Sequence, residues 1–290
     1  MDTTFNDQDF AAMQAEMENE QKKGSYVSPY WKPANEGTFQ LRIITPLKQF
    51  GEKLFYEKHM MHYIGQRGFF CLNQTLKDKD GNIHNAERCP ICEKSKQLYN
   101  TSTRGTEEWT IAGSLRAKER YVSRVIVRGK KTADGQDDET KPEFWEFGKK
   151  IHGYFFDQIK LGEAGNFLSL KEGRDYNLVK KGTGRNTDYS GSCLSMKQSP
   201  VFSDVEKLKK LMEHLPNMAY SQLVEFTSAD EMKEALNESM NAAPQESAPV
   251  AAPTNDALDP FAQKPAESVS PAAPAQSGTP DDIDALLGMI

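Results

Sequence analysis

Apolar and polar positions alternate over Thr38-Phe39-Gln40-Leu41-Arg42-Ile43, from Tyr121 to Arg128 through Val122, Val125 and Val127, over Glu143-Phe144-Trp145-Glu146-Phe147, and over Tyr176-Asn177-Leu178-Val179-Lys180-Lys181. A period of two sends successive side chains to opposite faces, so each stretch predicts a strand. Helical periodicity is rarer. Phe10, Met13 and Met17 recur at i, i+3 and i+7 behind the candidate caps Asn6 and Asp7, which predicts an amphipathic helix over 7–22 ended by Gly24. Further helices are predicted over 91–99, 149–161, 204–214 and 229–240. Short strands with one helix set between the third and later strands predict a mainly β chain with α additions, built as a small Greek-key barrel. No repeat with a period of 20–50 residues interrupts this pattern.

The pattern ends at about residue 240. Residues 241–280 hold eight prolines and eleven alanines, with Phe261 as their one aromatic. Too little apolar surface is available there to offset the entropy of ordering, so a disordered spacer is expected. The tip differs: Asp281-Asp282-Ile283-Asp284 runs into Ala285-Leu286-Leu287 and ends in Met289-Ile290. Acids joined to a short apolar motif on a polar tether form a docking peptide, with Asp281, Asp282, Asp284, Leu286 and Leu287 as the partner-binding residues. Three regions are therefore expected: a helical segment over 1–24, a core over 25–240 with a metal-binding subdomain at about 55–105, and a tail over 241–290.

Charge sharpens this division. The chain has 36 Lys and Arg against 42 Asp and Glu, for a net charge of −6, and residues 241–290 hold seven of those acids and one base. The tail thus carries the whole imbalance. Within the rest, residues 1–24 and 200–240 are acidic and 111–185 are basic. A basic centre flanked by acidic ends is an interaction pattern, and the spacer lets the acidic tip reach and screen the basic groove until a ligand displaces it. No run of 18 apolar residues is present to span a membrane, and the acidic start has neither the basic nor the apolar region of a secretion signal, so a cytoplasmic chain is expected.

Four cysteines are too few for a disulfide framework in a chain of this length, and two of them are spaced for metal. Cys89-Pro90-Ile91-Cys92 is C-x₂-C, which brings two thiolates on one tight turn to the same ion. Cys71 and His62 complete a set of one histidine and three cysteines, with His59 and His84 as rival fourth ligands and Cys193 read as a small buried hydrophobe. Four protein ligands leave no open position, so one structural Zn²⁺ is expected. The H-x-E and P-C-x-x-C signature of zinc deaminases, H-E-x-x-H and the phosphate-binding G-x-x-x-x-G-K-[ST] are absent, so no enzymatic chemistry is expected.

Basic residues interleave with aromatics in three stretches. Arg116, Lys118, Arg120, Arg124 and Arg128 share one parity around Tyr121 and so share one face of a strand. Phe144-Trp145-Glu146-Phe147-Gly148-Lys149-Lys150 is the second stretch, and the third runs from Lys180 and Lys181 through Arg185 to Tyr189. Cations follow phosphates while aromatic faces stack on bases, at about 1–3 kcal/mol per base. Duplexes hide those faces, so single strands are the ligand this pattern fits; the residues do not distinguish DNA from RNA. A zinc-containing scaffold for protein partners is the alternative reading.

This combination resembles the single-stranded DNA-binding, helix-destabilising proteins of T-even-type bacteriophages, the gene 32 protein family. The resemblance rests on His62 with Gly68-Phe69-Phe70, on Cys89-Pro90-Ile91-Cys92 leading to Leu98-Tyr99-Asn100, on Tyr121 ahead of Val125-Ile126-Val127, on Phe147-Gly148-Lys149-Lys150-Ile151, and on the acidic tip. It implies an OB-fold with an inserted zinc subdomain, sequence-tolerant binding of single-stranded DNA in a basic cleft between the two, and a tail that contacts replication, recombination and repair proteins. By position it puts Tyr121 and Trp145 at aromatic DNA contacts and Arg116 with Lys118 in a basic cluster before them. Two departures stand out. Residues 1–21 hold six acids and no base where the family has a basic, hydroxyl-rich cluster for self-association on DNA, and the nine-residue step from His62 to Cys71 is shorter than the family type.

Overall fold

The structure is a computed structural model that describes residues 28–65 and 67–241. The predicted helix over 7–22 and all but the first residue of the 241–290 tail, including its tip, lie outside the described residues. Among the described residues, β1 (Gly37–Ile43), β2 (Tyr56–Ile64), β3 (Arg67–Phe70), β4 (Leu76–Lys77) and β5 (Ile83–His84) lead to α1 (Pro90–Thr101) and α2 (Glu107–Leu115). There follow β6 (Lys118–Val127), β7 (Glu143–Gly148), α3 (Lys149–Leu161), β8 (Gly173–Lys180), β9 (Cys193–Ser199), α4 (Val205–His214) and α5 (Ala229–Asn241).

The main sheet runs β3-β2-β6-β1-β8-β9, with β7 added on β6, and all of these strand pairs are antiparallel. Strand β6 organises it: Lys118–Ser123 pair with β2, Val125–Val127 with β1, and Arg120–Val125 with β7. The succession β1, β6, β7, α3, β8, β9, with β1 between β6 and β8, is compatible with an OB-fold, and the helix sits between the third and fourth of these strands as the pattern predicts. No pairing of β7 with β9 closes the barrel among the described residues.

Both faces of β6 are covered. Tyr121, Val125 and Val127 join Trp145, Phe147, Phe155 and Tyr176 in the main core, while Ile126 packs with Ile44, Leu208 and Leu211 beneath α4. Two guanidiniums are drawn into this layered interior. Arg42, fully buried, donates from Nε to Asp175 at 2.7 Å and from Nη1 to the Ser199 carbonyl at 2.9 Å. Arg124 donates to both carboxylate oxygens of Glu52 and, from Nε at 2.6 Å, to the Met218 carbonyl, with its plane 4.0 Å from the Tyr220 ring centre. Tyr220 in turn donates to the Phe55 carbonyl at 2.9 Å, so residues 218–220 are tied down across the sheet.

Local signals explain the helix ends. Cys89 caps α1 with Pro90 at its first position, where the missing N–H costs nothing. Asp204 caps α4 by accepting from Glu206 N at 2.8 Å, and α5 opens on a reciprocal capping box between Ser228 and Glu231. Helix α3 ends at Gly162, whose φ of 72° is left-handed and whose N–H returns to the Gln158 carbonyl.

A second core forms where α1, α2 and α5 gather on the β2–β3 hairpin. Ile64, Phe69, Leu72, Ile91 and Leu115 meet Met232 and Leu236 there. This lobe draws in more chain than the predicted 55–105, because α2 and α5 supply part of its core. It also shares β2 with the main sheet.

Candidate metal centre and nucleic-acid interface

Three separate elements converge on the metal-ligand set. His62 comes from the inward face of β2, Cys71 directly follows β3, and Cys89 and Cys92 sit at the cap and first turn of α1. Their ligand atoms all lie within 4.8 Å of one another. Cys71 Sγ is 3.6 Å from Cys92 Sγ, and His62 Nε2 is 3.3 Å from Cys89 Sγ and 3.4 Å from Cys92 Sγ. A tetrahedral ion about 2.3 Å from sulfur and about 2.0 Å from nitrogen needs sulfur–sulfur edges of about 3.8 Å and sulfur–nitrogen edges of about 3.5 Å. The three edges above already come near those dimensions.

His62 is oriented from behind. Its Nδ1 lies 2.7 Å from the Leu115 carbonyl, to which it donates, leaving the Nε2 lone pair aimed at the sulfurs. Electrostatics point the same way. Hydrogen bonds from Cys71 and Cys92 drive the Cys89 thiol far below its ordinary range, and those that Cys92 makes to Cys71 and Cys89 push it far above. A bound dication would favour the thiolate form of the sulfurs that ligate it.

The rival histidines are placed elsewhere. His59 is buried against the edge of Phe70, its Nε2 without a hydrogen-bond partner, and burial lowers its pKa to about 4. His84 bonds Asp78 at 2.8 Å and stacks on Phe226 at 3.7 Å. Cys193, read as a buried hydrophobe, is exposed on β9, an edge strand of the main sheet.

A cleft of about 480 Å³ gathers three of the basic residues, Arg120, Lys149 and Lys150. Arg120, Gly148, Lys149, Lys150, Tyr154, Tyr176 and Tyr189 line it, together with Thr187, Asp188, Ser190 and Ser192. The sequence dictates this meeting, since β7 stops at Gly148 and α3 starts at once, so Lys149 and Lys150 occupy a first turn whose N–H groups have no side-chain cap. That end of a helix favours anions. A Cβ on Gly148 would stand 3.1 Å from Arg120 Nη1, so glycine lets the guanidinium close over the turn. Arg120 is held there through Nε by Tyr63 Oη and Glu146, both at 2.9 Å. Arg116 and Lys118 are exposed at the approach to β6, the Lys118 ammonium 5.8 Å from the Tyr63 ring centre.

A family model described as gp32 DNA binding protein like matches residues 37–241, more than two thirds of the chain and nearly all of the described part. The chain belongs to this family. No curated protein matches it. For a gp32-like protein, four of the sequence-derived contacts, Arg120, Lys149, Lys150 and Tyr189, come together in one cleft. Lys181 is exposed nearby in sequence, at a bridge to Asp188, and Lys180 reaches away to the Pro33 carbonyl at 2.8 Å. Arg185 falls in the 3-10 turn Gly184–Asn186, its side chain outside the description.

Other expected contacts of this gp32-like chain are corrected by burial. Tyr121 is 4% exposed, stacked between Phe147 and His152, and Trp145 is 3% exposed within the main core, so neither ring offers a face to a base. Arg124 is fully committed to Glu52 and Met218, and Arg128 is paired with Asp175 and Glu139. Parity placed these arginines on one face correctly; what it could not show is that α4 and residues 218–220 cover that face. The rings that do line the cleft beside Tyr189 are Tyr154 and Tyr176, and the first was missed because it sits in a helix, outside any basic-aromatic strand.

Proposed function

We propose that the protein binds single-stranded DNA without marked sequence preference and without catalysis, coating strands exposed during replication, recombination and repair. The observation that carries this is the cleft itself. Arg120, Lys149 and Lys150 and the uncapped start of α3 provide for phosphates, and Tyr189 and Tyr154 at the same opening provide flat faces for bases. Membership of the gp32-like family supports the ligand class. The four-ligand cluster is read as a structural zinc site: bound Zn²⁺ supplies cross-linking, and His62, Cys71, Cys89 and Cys92 would join β2, the end of β3 and α1 through it. The acidic-apolar tip, with Asp281, Asp282, Asp284, Leu286 and Leu287, is read as the docking peptide for replication and repair partners, working in the cytoplasm of the cell where the DNA is copied. A mobility shift with single-stranded DNA, double-stranded DNA and RNA of equal length tests the ligand class. Retention of the single strand at a concentration that leaves the duplex free is expected, and equal shifts of strand and duplex would refute it.

A further inference from the structure

Another cavity, of about 720 Å³, opens between the β2–β3 hairpin and residues 222–227. Met61, Phe70, Leu223 and Val224, each nearly buried, lie behind the apolar half of its lining, and Arg67 and Lys79 outnumber Glu225 among its charges. Pro29 and Tyr30 also line it, and they follow almost directly on the N-terminal stretch that lies outside the described residues. That stretch contains an amphipathic pattern, Phe10, Met13 and Met17 on one side, with six acids and no base in residues 1–21.

Length and charge suit the two to each other. Residues 23–28 connect the patterned segment to the cavity lip and reach at most about 20 Å. A helix over 7–22 would be about 24 Å long, so its apolar side stays within about 45 Å of the lip, a range that includes the cavity. Such a short tether raises the effective concentration of the segment at the cavity to the millimolar range. Its acids would face Arg67 and Lys79, while Lys22 and Lys23, nearest the lip, would face Glu225.

We propose that this cavity is the docking site of the chain's own residues 7–22, bound in cis, with Phe10, Met13 and Met17 against Met61, Phe70 and Val224. An acidic N-terminal segment is then a built-in cover for the β2–β3 hairpin. The reading is independent of DNA, and so is its test.

Amide hydrogen exchange on the full chain, on a chain lacking residues 1–24 and on one lacking residues 276–290, each at two protein concentrations, decides it. Removing 1–24 is expected to speed exchange at 67–70 and 222–227 by tenfold or more at both concentrations, and removing 276–290 to leave it unchanged. The full-length double variant Phe10→Asp with Met13→Asp is expected to match the first deletion, and Arg67→Glu with Lys79→Glu to give a smaller acceleration. Unchanged exchange without residues 1–24 would overturn the proposal. So would protection that depends on protein concentration, which means docking onto a second copy, or protection lost on removing 276–290, which makes the C-terminal tip the occupant.

Discussion

Cys71 Sγ stands 3.6 Å from Cys92 Sγ, close to the edge length of a zinc tetrahedron, although the two cysteines come from opposite sides of the metal-side core. Ile64, Phe69, Ile91 and Met232 pack around that edge, so metal and core should be lost together. Chelation, or Cys89→Ser, is expected to lower Tm and to broaden unfolding, since structural zinc contributes on the order of 10 kcal/mol to small metal-folded units. Cys193→Ser, exposed on β9, is expected to change neither metal content nor Tm. Calorimetry with metal analysis checks both, and full cooperativity after complete zinc removal would contradict a structural role.

The Arg124–Glu52 pair separates folding from binding. Replacing Arg124 by Met leaves the Glu52 carboxylate in a covered site with the Leu47 N–H but no counter-charge, a loss of about 3–5 kcal/mol. The expected outcome of Arg124→Met is a large fall in denaturation midpoint with an unchanged salt dependence of DNA binding, because this cation faces Glu52 and not the solvent. Denaturant titration and DNA titration on the same preparation measure the two.

His59 gives the protein a pH dependence of known sign. Burial disfavours its charged form and holds its pKa at about 4, against 6.5 when unfolded. Below pH 6.5 the unfolded chain takes up a proton that the folded chain refuses, so stability is complete above that value and declines as pH falls toward 4. The contribution amounts to about 3 kcal/mol across the window. His59→Phe is expected to flatten the decline, and equal slopes of stability against pH in variant and parent would show that His59 is not its source.

Aromatic rings divide into core and cleft. Trp145→Ala is expected to cost about 3–5 kcal/mol of stability, as for other buried large aromatics. Tyr189→Ala, at the cleft opening, is expected to weaken single-strand binding by about 1–3 kcal/mol with little change in Tm. Thermal melts and binding isotherms of the two variants should show opposite patterns.

Much of this architecture is legible in the chain. The alternation over 38–43, 143–147 and 176–181 marks β1, β7 and β8, and the helices over 149–161, 204–214 and 229–240 fall within a residue or so of α3, α4 and α5. The C-x₂-C spacing and His62 mark the ligand cluster. Strand β2 escapes detection because its buried His59, Met61, His62 and Ile64 do not alternate in apolarity, and β3 because it is four residues long. Tyr121 and Trp145 were misplaced because Phe147, His152 and Tyr176 close over their face, and Arg124 and Arg128 because the other face is covered as well. Residues of one parity share a face, yet whether that face meets solvent or α4 depends on chain more than seventy residues away. The cleft is harder still to read, since Tyr154 reaches it from a helix and Tyr189 from a loop.

The central claim is that Lys149 and Lys150 at the start of α3 neutralise phosphates of a single strand. Its most direct test is the affinity for oligo-dT at several salt concentrations, for the parent chain and for Lys149→Ala with Lys150→Ala. Each phosphate contact to a single strand adds about 0.7 to the slope of log affinity against log salt. The double variant is expected to bind more weakly at every salt concentration with a slope smaller by about 1.4, and an unchanged affinity and slope would contradict the placement of the strand in this cleft.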